Sequence, residues 1–151
     1  MPGDGHHKNP HDIHISEFSL GLGVIAPKYD TKQYRVLRLS NELTAVVIQD
    51  SKTKNSAASI SVGAGSGSED SRLPGQAHYL EHAVFLGSKK YPHEDALFDY
   101  VMTLGGTGNA YTAQLETNYF FQVGNPGFEK SFDILTDMVA APLLEPEPLS
   151  R

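Results

Sequence analysis

The residues best placed to do chemistry lie in one short run, His78-Tyr79-Leu80-Glu81-His82. On a helix at about 100° per residue, with His78 at zero, His82 falls at about 40° and Glu81 at about −60°. All three side chains then project within an arc of about 100°. Two imidazoles one turn apart can chelate one metal ion, because the helix fixes both ligands before the metal arrives, and neutral imidazole suits zinc. Glu81 sits beside the pair without needing to coordinate. There it can take a proton from an activated water and deliver it to a leaving amine. The plainer reading of these residues is a solvated helix face carrying His–Glu pairs. Ala77, Leu80, Val84 and Leu86 argue against it, because they give the same helix a buried side. Phe85 projects at about −20°, toward His78 and Glu81, where an aromatic ring is more often packing than substrate pocket.

The elements that must hold this run can be read on either side of it. The helix itself is expected over residues 78–86, bracketed by Gly75 and Gly87. Upstream, the β-branched and apolar residues of 34–39 and 43–49, joined by Ser40-Asn41-Glu42, predict a hairpin, and 57–62 a third strand. Downstream, a second helix is expected with Pro92 in its first turn, Glu94 and Asp95 near its positive end, and Gly105-Gly106 closing it. Two strand candidates follow at 109–114 and 117–123. A last helix is expected from 126 to about 141, with Phe128, Phe132, Leu135, Met138 and Val139 at helical spacing. The order βββ-α-α-ββ-α predicts an α+β fold, a largely antiparallel sheet packed against helices. Gly63-Ala64-Gly65-Ser66-Gly67 has the look of a phosphate loop, but no Lys-Ser/Thr pair follows it, so it reads as a loop.

Composition narrows the chemistry further. The 151 residues, 39% of them hydrophobic, suit one domain with a real core. A net charge of −6 gives no basic field for a phosphate backbone or an anionic membrane, so neither nucleic acid nor membrane is expected as a partner. With no cysteine, disulfides, thiol nucleophiles and thiolate metal sites are excluded, and any metal must sit on His and carboxylate. No apolar run is long enough to cross a bilayer and no secretory leader is legible, which favours a cytoplasmic location. Residues 1–32 read as a flexible tail containing His6, His7, His11 and His14, and 33–151 as the domain. Without fixed geometry the tail histidines suggest only adventitious metal binding.

His-x-x-Glu-His is also the inverted zincin motif. The longer run from Gly75 through His78, Glu81, His82 and Phe85 to Tyr91-Pro92 resembles the insulinase/pitrilysin family of zinc metallopeptidases, its insulysin branch in particular. The resemblance continues through Gly105-Gly106-Thr107-Gly108-Asn109-Ala110-Tyr111-Thr112 and Thr117-Asn118-Tyr119-Phe120, and reaches back to residues 34–50. It covers the chain from about Gln33 onward.

The resemblance implies that His78 and His82 are zinc ligands and Glu81 the general base of a metalloendopeptidase. It also implies that Asn109 and Ala110 belong to an edge strand on which an extended peptide substrate is laid, and that Phe85 lies near a substrate side chain. Strand addition suits such work, because backbone pairing holds many sequences in one register. Without the resemblance Asn109 reads as a turn residue after glycines, while Thr112 and Tyr119 read as structural. Gln76 and Ala83 depart from the family, which usually has apolar residues there. The larger departure is that the family's third zinc ligand is a Glu on a later helix, farther beyond His82 than the 69 residues that follow it here. Glu116, Glu129, Glu145 and Glu147 do not match it. A catalytic zinc takes three protein ligands and a water. The expectation is therefore a domain truncated before that ligand and inactive alone, whose site the remaining domains or a partner subunit complete. The competing expectation is a non-catalytic structural or partner-binding subunit of the same family, against which the intact His-x-x-Glu-His argues.

Overall fold

The computed structural model describes residues 26–144 and the two-residue strand β1 (Ile15–Ser16). The four tail histidines, Glu145 and Glu147 lie outside the described residues. The chain divides into two compact units, Met1–Thr53 and Lys54–Arg151. No helix among the described residues is long and apolar enough to cross a membrane.

The first unit is an antiparallel sheet in the order β1-β2-β3, with β2 at Gln33–Leu39 and β3 at Thr44–Gln49. The expected hairpin is present, with Tyr34 opposite Ile48 and Val36 opposite Val46. Its turn is closed by Leu39 N–H donating to the Leu43 carbonyl at 2.8 Å, and Glu42 takes a left-handed φ of 68°. The segment read as tail contributes β1, whose Ile15 and Ser16 pair with Leu39 and Arg38.

The second unit contains the His-x-x-Glu-His run. Strands β4 (Asn55–Val62), β5 (Thr107–Thr112) and β6 (Thr117–Gly124) form an antiparallel sheet in the order β4-β6-β5, so β6 is central and β5 is an edge. Helices α1 (Gln76–Val84), α2 (Ala96–Thr103) and α3 (Phe128–Ala140) accompany it. The core joins Val84 of α1, Leu97 and Val101 of α2, Tyr119, Phe121 and Val123 of β6, and Ile134, Leu135 and Met138 of α3. Burying each such aliphatic or aromatic side chain contributes about 1.5–3 kcal/mol. The expected α+β architecture, antiparallel sheet on helices, is what forms.

The start of α2 and the exposure of Phe132 differ from expectation. Helix α2 begins at Ala96, so Pro92 is not in its first turn. Asp95 is instead a left-handed N-cap at φ 56°, and its N–H is spent on the Phe85 carbonyl at 2.8 Å, tying the connection back to the end of α1. Phe132, expected on the apolar face of α3, is 42% exposed and stacks on Phe128. The glycine run 63–67 serves packing. Ser66 and Gly67 N–H groups donate to the carbonyls of Ala113 and Gln114, at 2.9 and 2.8 Å. A Cβ on Gly65 would lie 2.2 Å from the Ala113 carbonyl oxygen, so only glycine lets this loop clamp the β5–β6 turn.

Candidate metal centre

Helix α1 presents the three candidate residues, and its start is set from a distance. Gly75 occupies the N-cap at φ +92°, a left-handed conformation that glycine adopts without strain, and has no side chain to cap with. Glu69, in the preceding loop, supplies the cap instead. One carboxylate oxygen accepts the Gly75 N–H at 2.7 Å and the other the Ala77 N–H at 2.8 Å. Two of the donors orphaned at the helix start are thereby satisfied, and a negative charge sits at its positive end.

The two backbone donors, Gly75 first and then Ala77, hold the Glu69 carboxyl below its ordinary value of 4.5. A carboxyl depressed in the folded state stabilises the fold above its unfolded value and loses that contribution as pH falls through its folded value. Unfolding followed from neutral pH downward should therefore show a loss of stability below about pH 4.5 that is smaller in Glu69→Gln, where other depressed carboxyls, among them Asp70, Glu116 and Asp133, remain. A variant with the same acid dependence as the natural chain would rule the cap out as its source.

One turn into the helix, the His78 and His82 rings are exposed and face each other. Their Nε2 atoms are 3.2 Å apart, with ring centroids at 4.8 Å and planes at 73°. Two nitrogens bound at about 2.05 Å to one tetrahedral zinc are themselves about 3.3 Å apart. The spacing of the donor pair therefore matches that of two zinc-bound nitrogens. Glu81 lies one residue before His82 but is only 8% exposed, beside buried Ala83 and Val84. The ligand atoms of His78, Glu81 and His82 all fall within 4.8 Å of one another, the one such His/carboxylate cluster among the described residues.

Glu81 is engaged by the sheet. The Thr112 hydroxyl, at the end of β5, donates to Glu81 Oε2. Tyr119 of β6 is buried, and burial first, then the negative charge of Glu81, pushes its phenol up to about 12. The remaining candidates are more dispersed. Phe85 is half-buried, its ring stacked on Phe98 at 4.6 Å and tilted against Tyr119 at 5.9 Å, so its described ring contacts are packing. Asn109 is exposed on edge strand β5, where its side-chain oxygen accepts the Ala110 N–H at 2.9 Å. Ala110 is half-buried, opposite Tyr119. The structure brings His78, Glu81 and His82 together and places Asn109 and Ala110 on the strand that reaches Glu81 through Thr112.

Residues 44–151 match the model of a known family, Insulinase (Peptidase family M16). The chain belongs to this peptidase family. It is 40% identical over 131 residues to insulin-degrading enzyme-like 1, peroxisomal, of Arabidopsis thaliana, covering 87% of this chain and 14% of that protein. It is 36% identical over 143 residues to the A-factor-processing enzyme of Saccharomyces cerevisiae, covering 95% of this chain and 14% of that one. Among solved structures it resembles pitrilysin, with a TM-score of 0.81 at 32% identity, over 88% of this chain and 14% of the other. The chain thus spans about one seventh of the length of the M16 relatives it matches.

Two residues of this M16 chain that touch the site's framework carry no chemical role in the sequence alone. Thr112 reads there as structural. Its signal is the alternation Gly108, Ala110, Thr112, a set on one face of β5 that ends in a lone hydroxyl. Glu69 had no local signal, since its partners lie six and eight residues on, across a loop.

Proposed function

We propose that the intact protein is a zinc metalloendopeptidase in which His78 and His82 hold the metal and Glu81 is the general base. The observation that carries this reading is the pair of Nε2 atoms 3.2 Å apart beside a buried carboxylate. Membership of a peptidase family supports it. When bound, zinc supplies a Lewis acid that activates water and polarises the peptide carbonyl. Glu81 takes the proton of the attacking water at its carboxylate and returns it to the leaving nitrogen as the C–N bond breaks. A third protein ligand is required, and we assign it to sequence outside these 151 residues, contributed by the remaining domains or by a partner subunit. The edge of β5 at Asn109 and Ala110 suits an extended peptide added as a further strand once the Asn109 side chain releases the Ala110 N–H to it, with Phe85 bordering it.

The test uses the intact protein and an unstructured peptide. Cleavage at internal bonds should stop on chelation and return when one equivalent of zinc is restored. Hydrolysis that survives complete zinc removal, or its absence in zinc-loaded protein, would overturn the proposal.

A further inference from the structure

Glu81 is a buried carboxylate between two exposed imidazoles on the same helical turn. A group asked to accept and return a proton must hold one orientation, because a small misplacement of a reacting atom costs heavily in rate. The helix alone does not fix it, since a glutamate has three side-chain torsions. The contact that reaches it is the Thr112 hydroxyl, which donates to Oε2.

Thr112 is itself firmly held. It is the last residue of β5, paired with Thr117 of β6. The next residue, Ala113, donates its N–H to the Glu116 carbonyl at 2.8 Å, and its own carbonyl accepts the Ser66 N–H at 2.9 Å. Its neighbour in register, Thr117, donates to the Ala64 carbonyl at 2.9 Å. The glycine loop and the β5–β6 turn thus form a rigid mount for one hydroxyl.

We infer that Thr112 is the positioning residue for Glu81, engaging Oε2 so that Oε1 is the oxygen left to exchange the proton with the reacting water. This rests on the reading of Glu81 as the base. It also ties the base to substrate binding, because Thr112 lies two residues from Ala110 on the edge strand that would carry the peptide. Seating a peptide there and orienting the carboxylate are functions of one short strand.

The test compares Thr112→Val, which keeps the branched shape and removes the hydroxyl, with Thr112→Ser, which keeps the hydroxyl, in the intact zinc-loaded protein. Thr112→Val should lower kcat by roughly 10- to 100-fold, with KM and zinc stoichiometry unchanged. Thr112→Ser should recover to within about threefold of the natural protein. A readout without turnover is calorimetric binding of a peptidyl hydroxamate, whose proton is accepted by the base; Thr112→Val should weaken it and Thr112→Ser should not. Natural kcat and hydroxamate affinity in Thr112→Val, or a serine variant no better than valine, would overturn the inference. So would a loss confined to KM or to zinc content, which would mark a merely structural role. Glu81→Gln, run alongside, separates the two levels. An inactive Glu81→Gln beside a silent Thr112→Val refutes this inference alone, whereas full turnover in Glu81→Gln refutes the base assignment and this inference with it.

Discussion

His78→Ala and His82→Ala should each leave the intact protein folded and without zinc. Both imidazoles are exposed, so neither side chain supports the core, and exposed substitutions usually change stability by about 0.5 kcal/mol or less. Their contribution to metal binding is of another order. A structural zinc site of four ligands is worth about 10–16 kcal/mol, so losing one ligand removes roughly 3 kcal/mol, or about a hundredfold in affinity. The penalty is shared equally because each ring is half of a preformed chelate, with 3.2 Å between the two Nε2 atoms. Zinc content after dialysis, read beside far-ultraviolet circular dichroism, checks the expectation. A variant that retains full zinc would remove that histidine from the ligand set.

Glu81→Gln should do the opposite, keeping zinc and losing turnover. The substitution is nearly isosteric, and the amide oxygen can still accept the Thr112 hydroxyl, so the part-buried hydrogen bond survives. What the amide cannot do is take a proton. General acid–base catalysis by a positioned group contributes about 10²–10⁴-fold, and kcat should fall by about that factor at unchanged zinc stoichiometry. Glu81→Ala is the poorer probe, since it would also leave a cavity and strip Thr112 of its acceptor. Turnover within threefold of the natural protein in Glu81→Gln would show that another group moves the proton.

Much of this was legible in the residues themselves because the physics is local. Four helical positions decide whether His78 and His82 meet, and β-branched alternation around Ser40-Asn41-Glu42 decides the β2–β3 hairpin. Sequence and structure differ where a distant partner outbids a local signal. Pro92, Glu94 and Asp95 carry the ordinary marks of a helix start, yet Asp95 is left-handed at φ 56°, with its N–H donating to the Phe85 carbonyl, so α2 begins at Ala96. Phe85, for which packing is the plainer reading from its residue type, stacks on Phe98 and tilts against Tyr119. The same holds for the two supports of the site. Glu69 caps α1 across a loop, and Thr112 reaches Glu81 across 31 residues of sequence. Spacing identified the residues that carry the chemistry, while those that hold them in place required the tertiary fold.

The central claim is that His78 and His82 bind one zinc while Glu81 stays off it, and zinc-edge X-ray absorption of the intact protein tests it most directly. Scattering from two imidazoles per zinc is expected, and it should be unchanged in Glu81→Gln. A spectrum without paired imidazoles, or one that loses an oxygen ligand when Glu81 becomes glutamine, would contradict it.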